Sequence, residues 1–230
     1  MSLSDEHIDD VLWAARAGDL DALKETVAAI GGTDTNATIK AVLACKNESG
    51  HTPLHFAAAN NHQEIVSYLL SAAGVADVLA QNESGNTALH WAAFNGHVDV
   101  AAALVDRTEA LENEEADVAK KMRAEEDQRE HERHMAANKD VKEAESDRQA
   151  ELAHHDELQR ERALWDVRNK AGRGPMSEAQ MADREAVVQM LLGRLAQHDK
   201  SEQASSATPT PVPNDASVEA KTASMTLNDA

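Results

Sequence analysis

The sequence has few aromatic residues, one cysteine and no long apolar run. Aromatic residues make up 3% of its 230 residues, and the alanine-rich remainder favours thin, closely packed helices over a sheet with a bulky core. Cys45 is the single cysteine, which excludes an intramolecular disulfide. No apolar stretch approaches the length of a membrane span, and the acidic first residues do not resemble a signal peptide. We therefore expect a cytoplasmic and nuclear protein.

Basic residues are also scarce. The formal net charge is −19; residues 1–106 contain 14 acids and 4 bases, and residues 107–165 contain 18 acids and 11 bases. Because an acidic surface repels polyanions, we expect no direct binding of nucleic acid and no membrane binding. A basic protein is the partner that this charge favours. The alternative is that the charge serves only solubility.

What the sequence does contain is an internal repeat. Residues 47–60 and 82–95 align at a spacing of 35 residues, and both begin Asn-Glu-Ser-Gly. Within them, residues 52–57 read Thr-Pro-Leu-His-Phe-Ala and residues 87–92 read Thr-Ala-Leu-His-Trp-Ala. This pattern is the signature of the ankyrin repeat, and its presence in two copies in phase makes the signal strong.

The residue types at each repeat position fit helix–turn–helix units. Thr52 is suited to cap a helix and Pro53 to occupy its first position. Gly96 permits the left-handed residue that ends a helix, and Asn61 holds the same place one repeat earlier. The second helices are predicted from apolar residues at helical spacing: Ile65, Val66, Leu69, Leu70, Val98, Val100, Ala101 and Leu104.

Partial copies flank the two clear repeats. Residues 12–23 match a helix–turn–helix without a preceding hairpin, as expected of an N-terminal capping repeat, and a long linker, 31–44, follows. Residues 169–192 resume the pattern as a degenerate C-terminal cap. The sequence thus predicts an all-α ankyrin solenoid of about four repeats with β-hairpin loops. We divide it into repeats 1–3 (1–106), a charged helical insertion (107–165), the capping repeat (166–199) and a disordered tail (200–230).

The insertion separates the third and fourth repeats. From Gly85 to Gly172 is 87 residues, about 54 more than one repeat period. Because adjacent repeats must touch, the insertion must turn back, and we predict two antiparallel helical arms meeting near residues 136–140. A solvated, partly disordered excursion is the alternative. Since loop length costs little, we expect the insertion to be separable from the repeats.

Residues typical of catalytic or metal sites are not arranged as such. His131 and His134 are three residues apart where the helical zinc motif needs four, and the adjacent His154 and His155 cannot face one ion. Cys45 has only Lys46 as a charged neighbour and is interpreted as a structural thiol. We predict no catalytic residues, no metal and no cofactor, and therefore no enzyme.

The layout is similar to that of a small fungal ankyrin chaperone. The shared features are residues 15–21, the long first linker, residues 87–92, the fading fourth repeat and the acidity. The resemblance implies a cytosolic and nuclear protein that binds a newly made, basic ribosomal protein, the third of the small subunit, and keeps it soluble until assembly. We expect the protein to be monomeric. The insertion departs from that layout. A general adaptor in signalling or transcription, and a structural spacer acting through the helical arms, are the other readings.

In ankyrin stacks the hairpin tips and the inner side of each first helix form the binding face. Phe94 is the candidate anchor, because its register predicts an exposed aromatic; otherwise it packs beside the insertion. Trp13, Phe56 and Trp91, one position inward, are expected in the core between repeats. The repeat register predicts these partner contacts: Arg16, Glu48, Ser49, His51, Ala59, Asn60, Glu83, Ser84, Asn86, Phe94, Asn95 and Lys170.

Overall fold

The structure, a computed structural model, describes residues 3–31, 34–137 and 163–206. In these ranges all regular structure is helical. The helices are α1 (Asp5–Ala17), α2 (Leu20–Ile30), α3 (Thr35–Leu43), α4 (Pro53–Ala59), α5 (Gln63–Leu70), α6 (Val75–Val78), α7 (Ala88–Asn95), α8 (Val98–Glu114), α9 (Ala116–Ala137), α10 (Pro175–Met181) and α11 (Glu185–Ser206). No helix among the described residues combines the length and the apolar character needed to cross a bilayer.

Four helix pairs stack into the predicted all-α solenoid. The pairs are α1–α2, α4–α5, α7–α8 and α10–α11, and their first helices pack in series, α1 on α4, α4 on α7 and α7 on α10. The alanine pairs at 57–58 and 92–93 are fully buried, because methyl side chains let neighbouring helices approach closely. Gly96 and Asn61 both adopt positive φ, 83° and 60°, so both predicted helix ends are confirmed.

An asparagine organises the turn before each of the last three first helices. The Asn47 side-chain oxygen accepts the N–H groups of Ser49 and His51 at 3.1 and 2.9 Å. Asn82 and Asn169 make the same two bonds in their own turns. These hairpin-like turns, at 47–51, 82–86 and 169–173, form the loops predicted between repeats.

A second set of bonds ties each repeat to the previous one. His62 Nε2 lies 3.0 Å from the Arg16 carbonyl oxygen, and His97 Nε2 lies 3.0 Å from that of Ala59. Arg184 Nε donates to the Phe94 carbonyl at 3.1 Å. All three begin the second half of a repeat, so the fourth repeat keeps the stacking register although the insertion precedes it.

The long first linker contains a helix that the sequence analysis did not predict. Asp34 caps α3, because its carboxylate accepts the N–H groups of Asn36 and Ala37. Ile39, Val42 and Leu43 are buried on the side that meets α2 and α4. The α3 part of the linker therefore belongs to the core.

The described part of the insertion packs on the repeats. The predicted boundary at residue 106 falls inside α8, and α9 lies against α6 and α8 with Ala119 buried. Arg133 donates to the Asn169 carbonyl at 2.6 Å, and Glu126 accepts the backbone N–H of Arg168 at 3.0 Å. These bonds attach α9 to the turn of the fourth repeat, which speaks against a separable insertion for this part; its effect on unfolding stays a prediction.

The insertion returns to the repeats through a buried segment. Ala163, Leu164 and Trp165 are buried, and the Trp165 indole N–H donates to Glu109 on α8 at 3.3 Å. The predicted second arm, including His154 and His155, lies outside the described residues. At the C-terminus α11 continues to Ser206, beyond the predicted tail boundary at 200, and the rest of the tail lies outside the described residues.

Candidate protein-binding surface

The predicted contact residues lie on one side of the stack, which we call the recognition face. It consists of the tips of the three turns and the exposed side of α1, α4, α7 and α10. Arg16, Glu48 and Ser49 are exposed, as are Glu83, Ser84 and Lys170. The register places Glu48, Glu83 and Lys170 at the same position in successive turns, so charge along the tips changes from acidic to basic.

The turns are linked to one another by the backbone. The N–H of Glu83 donates to the Ser49 carbonyl at 3.1 Å, and the N–H of Lys170 donates to the Ser84 carbonyl at 3.0 Å. Because both bonds use main-chain atoms, the side chains at the tips are free to point away from the stack. The face therefore presents its side chains from a fixed scaffold.

His51 closes a cluster of rings behind the tips. Its ring centroid lies 5.6 Å from that of Phe56 and 5.7 Å from that of Trp91. Burial lowers the pKa of His51, while the nearby Glu83 carboxylate acts in the opposite direction. Phe56 and Trp91 are half-buried, partly because this imidazole covers them.

Two further histidines are structural. His55 receives the Thr52 N–H on Nδ1 at 3.2 Å, so Nε2 carries the proton and donates to the Asn86 carbonyl at 2.9 Å. Burial lowers the pKa of His55 and of His90 to about 4. Both imidazoles are therefore neutral at pH 7, and neither is available as a metal ligand while these bonds last.

Three predicted contact residues use their side chains within the chain. Asn60 donates to the Phe56 carbonyl at 2.8 Å, and Asn95 donates to that of Ala59 at 3.1 Å. The Asn86 side-chain oxygen accepts from Asn169 at 2.8 Å. These amides shape the face from behind. Their predicted contact with a partner stays a prediction.

Trp13 is the clearest correction on this face. It was expected in the core with Phe56 and Trp91, but its side chain is 62% exposed. The reason lies in the capping repeat, where residues 5–8, which correspond by register to residues 48–51 of the next turn, belong to α1, so that no described residue stands in the place of His51. The missing hairpin was visible in the sequence, and the exposure of Trp13 could have been predicted from it.

Phe94 is 45% exposed on α7, as its register predicted. Met181 holds the same position one repeat later and is 65% exposed, but sequence reasoning overlooked it. The two residues hold equivalent positions in neighbouring repeats, and Arg184, three residues after Met181, is bonded to the Phe94 carbonyl. Each adds an exposed apolar side chain to the third or the fourth repeat.

Two observations concern metal binding and thiol chemistry. Among residues 3–31, 34–137 and 163–206, no group of three or more His, Cys, Asp or Glu side chains is placed to hold a metal. Burial raises the pKa of the Cys45 thiol, whose sulfur lies 3.4 Å from the Ala41 carbonyl oxygen. That environment opposes formation of a reactive thiolate.

Comparison with known proteins agrees with this architecture. The family described as Ankyrin repeats (3 copies) matches residues 11–120. The Saccharomyces cerevisiae ankyrin repeat-containing protein YAR1 is 39% identical over 75 residues, which are 33% of this chain and 35% of that protein. Myotrophin of Xenopus tropicalis is 39% identical over 62 residues, 27% of this chain and 44% of that protein. The chain thus matches less than half the length of either relative.

One solved structure matches over a longer range. It is the crystal structure of the yeast ribosomal protein Rps3 in complex with its chaperone Yar1. The match covers 84% of this chain and 95% of the chain in that structure, with 28% identity and a TM-score of 0.53. This likeness therefore extends beyond the repeat motif to the arrangement of most of the chain.

Proposed function

We propose that this ankyrin-repeat protein is an ATP-independent chaperone that escorts a basic ribosomal protein, the counterpart of yeast Rps3, during small-subunit biogenesis. The observation that carries the proposal is the likeness to a chain in the complex of yeast Rps3 with its chaperone Yar1, which spans 84% of this chain. The YAR1 relative agrees with it in sequence. On this proposal the protein acts by binding, in the cytoplasm and nucleus, and catalyses no reaction.

The surface chemistry supports such a role. Exposed apolar side chains at Phe94 and Met181 can hold an apolar part of a partner, and the acidic tips at Glu48 and Glu83 can attract its basic part. Ribosomal proteins are basic and aggregate away from RNA because their positive surfaces attract cellular polyanions. Carboxylates held on a rigid stack would compete with those polyanions without any use of ATP.

The test is suppression of aggregation. The third small-subunit ribosomal protein of the same organism is diluted from denaturant, and light scattering is followed with and without the chain. We expect equimolar chain to suppress scattering and Phe94→Ala to weaken the suppression. Leu192→Ala is the matched control, because Leu192 is 43% exposed but lies on α11, outside the recognition face.

The outcome separates the candidate functions. Scattering that is unchanged at severalfold excess of the chain would remove the ribosomal proposal. A regulatory complex recovered with the chain from lysate would then support a general adaptor, and self-association through the insertion would support a structural spacer. Equal effects of Phe94→Ala and Leu192→Ala would leave the chaperone role but remove Phe94 as its anchor.

A further inference from the structure

The turns at 47–51, 82–86 and 169–173 form a column, joined by backbone hydrogen bonds, that ends at a backbone N–H group. In the second and third turns, the N–H groups of Glu83 and Lys170 each donate to the carbonyl of the preceding turn. Glu48 holds the same position in the first turn. Within the described residues its N–H has no hydrogen-bond acceptor. Among the described residues, the column therefore has an open edge beside Glu48.

The edge is open because a helix replaces the turn that would cover it. By the repeat register, residues 4–8 correspond to the turn at 47–51. Here Ser4 caps α1, accepting the N–H of His7 at 3.3 Å, and residues 5–8 are its first turn. The place that a turn occupies in each later repeat is therefore not filled by these residues.

Trp13 borders the same open place. In the next repeat, His51 lies between Phe56 and Trp91 and covers part of both rings. The residue equivalent to His51 in a preceding turn would cover Trp13 and Phe56 in the same way. Since that turn is replaced, Trp13 is 62% exposed. A segment placed there would meet the Trp13 indole and the Glu48 N–H together.

The charges around this place select a cation. Asp9 and Asp10 are exposed and lie one helical turn before Trp13, on the same side of α1. The described residues 3–31 contain seven acids and two bases, and Glu48 adds a further exposed carboxylate. A lysine or arginine side chain lying over an indole gains both from the ring and from nearby carboxylates. An acidic or neutral segment gains neither.

We propose that this N-terminal edge, defined by Asp9, Asp10, Trp13 and the Glu48 N–H, binds an extended basic segment of a partner protein. A backbone carbonyl of the segment accepts the Glu48 N–H, as Ser49 does for Glu83. A lysine or arginine side chain of the segment lies over Trp13 beside Asp9 and Asp10. The inference rests on the proposed function only for the identity of the partner, because the geometry of the edge does not depend on which basic protein binds.

The test uses the full chain labelled with ¹⁵N and a blocked seven-residue peptide that alternates lysine with valine. We expect the Glu48 amide and Trp13 indole signals to shift together on titration, and exchange of the Glu48 amide with solvent to slow. Trp13→Ala should weaken binding about fivefold, and Trp13→Phe should restore part of the loss. Leu192→Ala is the matched control, since Leu192 is also an exposed apolar residue but lies on α11, outside the recognition face.

Several results would overturn the proposal. These are the absence of shifts at Glu48 and Trp13, shifts centred instead on Phe94 and Met181, or equal binding of a peptide with glutamate in place of lysine. A Glu48 signal that shifts with protein concentration in the absence of peptide, together with concentration-dependent sedimentation, would identify a second copy of the chain as the occupant. If the peptide binds at the edge but the ribosomal protein does not bind, the edge stands and the proposed function fails. If the ribosomal protein binds without protecting the Glu48 amide from exchange, the proposed function stands and the edge fails as its binding site.

Discussion

The imidazole Nε2 of His90 lies 3.1 Å from the carbonyl oxygen of Arg173, although 83 residues separate them along the chain. The same bond joins His55 to Asn86 at 2.9 Å, across only 31 residues. In both cases a threonine N–H, from Thr52 or Thr87, donates to Nδ1 and fixes the proton on Nε2. One bond thus recurs at two repeat junctions, with and without an insertion between them.

These histidines should make stability depend on pH. The pKa of each is lowered to about 4 in the fold, against about 6.5 in the unfolded chain. Protons therefore bind the unfolded chain more tightly, and the free energy of unfolding should fall as the pH decreases from 6.5 towards 4. The stability contributed by each neutral histidine is fully present above pH 6.5, and about 3 kcal/mol of the free energy of unfolding per histidine is lost near pH 4. Urea denaturation at a series of pH values measures this.

A variant pair isolates the histidine contribution from that of the carboxylates. His90→Gln should be less stable than the wild type at pH 7, but should lose less on acidification. His7→Gln, at the start of α1, should keep the wild-type slope. Parallel pH curves for His90→Gln and the wild type would contradict the assignment.

Gly85 and Gly172 offer a matched test of how tightly the turns pack. Both have positive φ, 78° and 74°. A Cβ at Gly85 would lie 2.7 Å from the Lys170 backbone nitrogen, whereas at Gly172 it would meet nothing within 4 Å. Gly172→Ala should cost about 1 kcal/mol for its backbone conformation alone. Gly85→Ala should cost clearly more, because it also disturbs the bond from Lys170 to Ser84. Equal losses in urea denaturation would show that the turns can separate.

The packing of α9 on the repeats can be tested with two alanines of that helix. Ala119 is buried against the repeats and Ala124 is exposed. Ala119→Gln should lower the free energy of unfolding by about 1 to 3 kcal/mol, since the larger side chain overpacks the contact. Ala124→Gln should change it by less than about 0.5 kcal/mol. If both variants unfold like the wild type, α9 does not stabilise the stack.

The acidic tips should govern the rate of partner association. Glu48→Lys combined with Glu83→Lys should slow association with the ribosomal protein severalfold at low salt and leave dissociation nearly unchanged. Glu25→Lys combined with Glu64→Lys, on exposed sites of the second helices, gives the same change in net charge away from the tips. Stopped-flow rates between about 50 and 300 mM salt measure the effect. Equal slowing by both pairs would assign it to net charge alone.

The regular part of the fold could be predicted from sequence because the repeat has strict local rules. Asn61 and Gly96 ended their helices as predicted, and the predicted apolar residues of α5 and α8 are buried at their helical spacing, except Val98, which is partly buried. The exposed Phe94 followed from the same register. Each of these features depends on residues within one repeat, so two aligned copies contain the necessary information.

The remainder depends on contacts that a repeat pattern does not contain. α9 has no apolar stripe; it is attached through Ala119 and through polar bonds such as Glu126 to the Arg168 N–H. Charge alternation of this kind is also typical of a solvated helix, so the sequence could not distinguish the two. The prediction that Trp13 is buried was wrong for the opposite reason. The register was applied to it although the turn that buries its equivalents is replaced by α1.

The distance along the chain between His90 and Arg173 also has a consequence during translation. At about 5 to 20 residues per second, roughly 4 to 17 s pass between synthesis of the two bonded residues. For that time the side of α7 that α10 later covers has no partner from its own chain. In the finished fold α7 packs on α10, and this contact has to wait until α10 has been made. We propose that this protein protects another newly made chain. Its own third repeat lacks its neighbouring repeat while the protein itself is being synthesised.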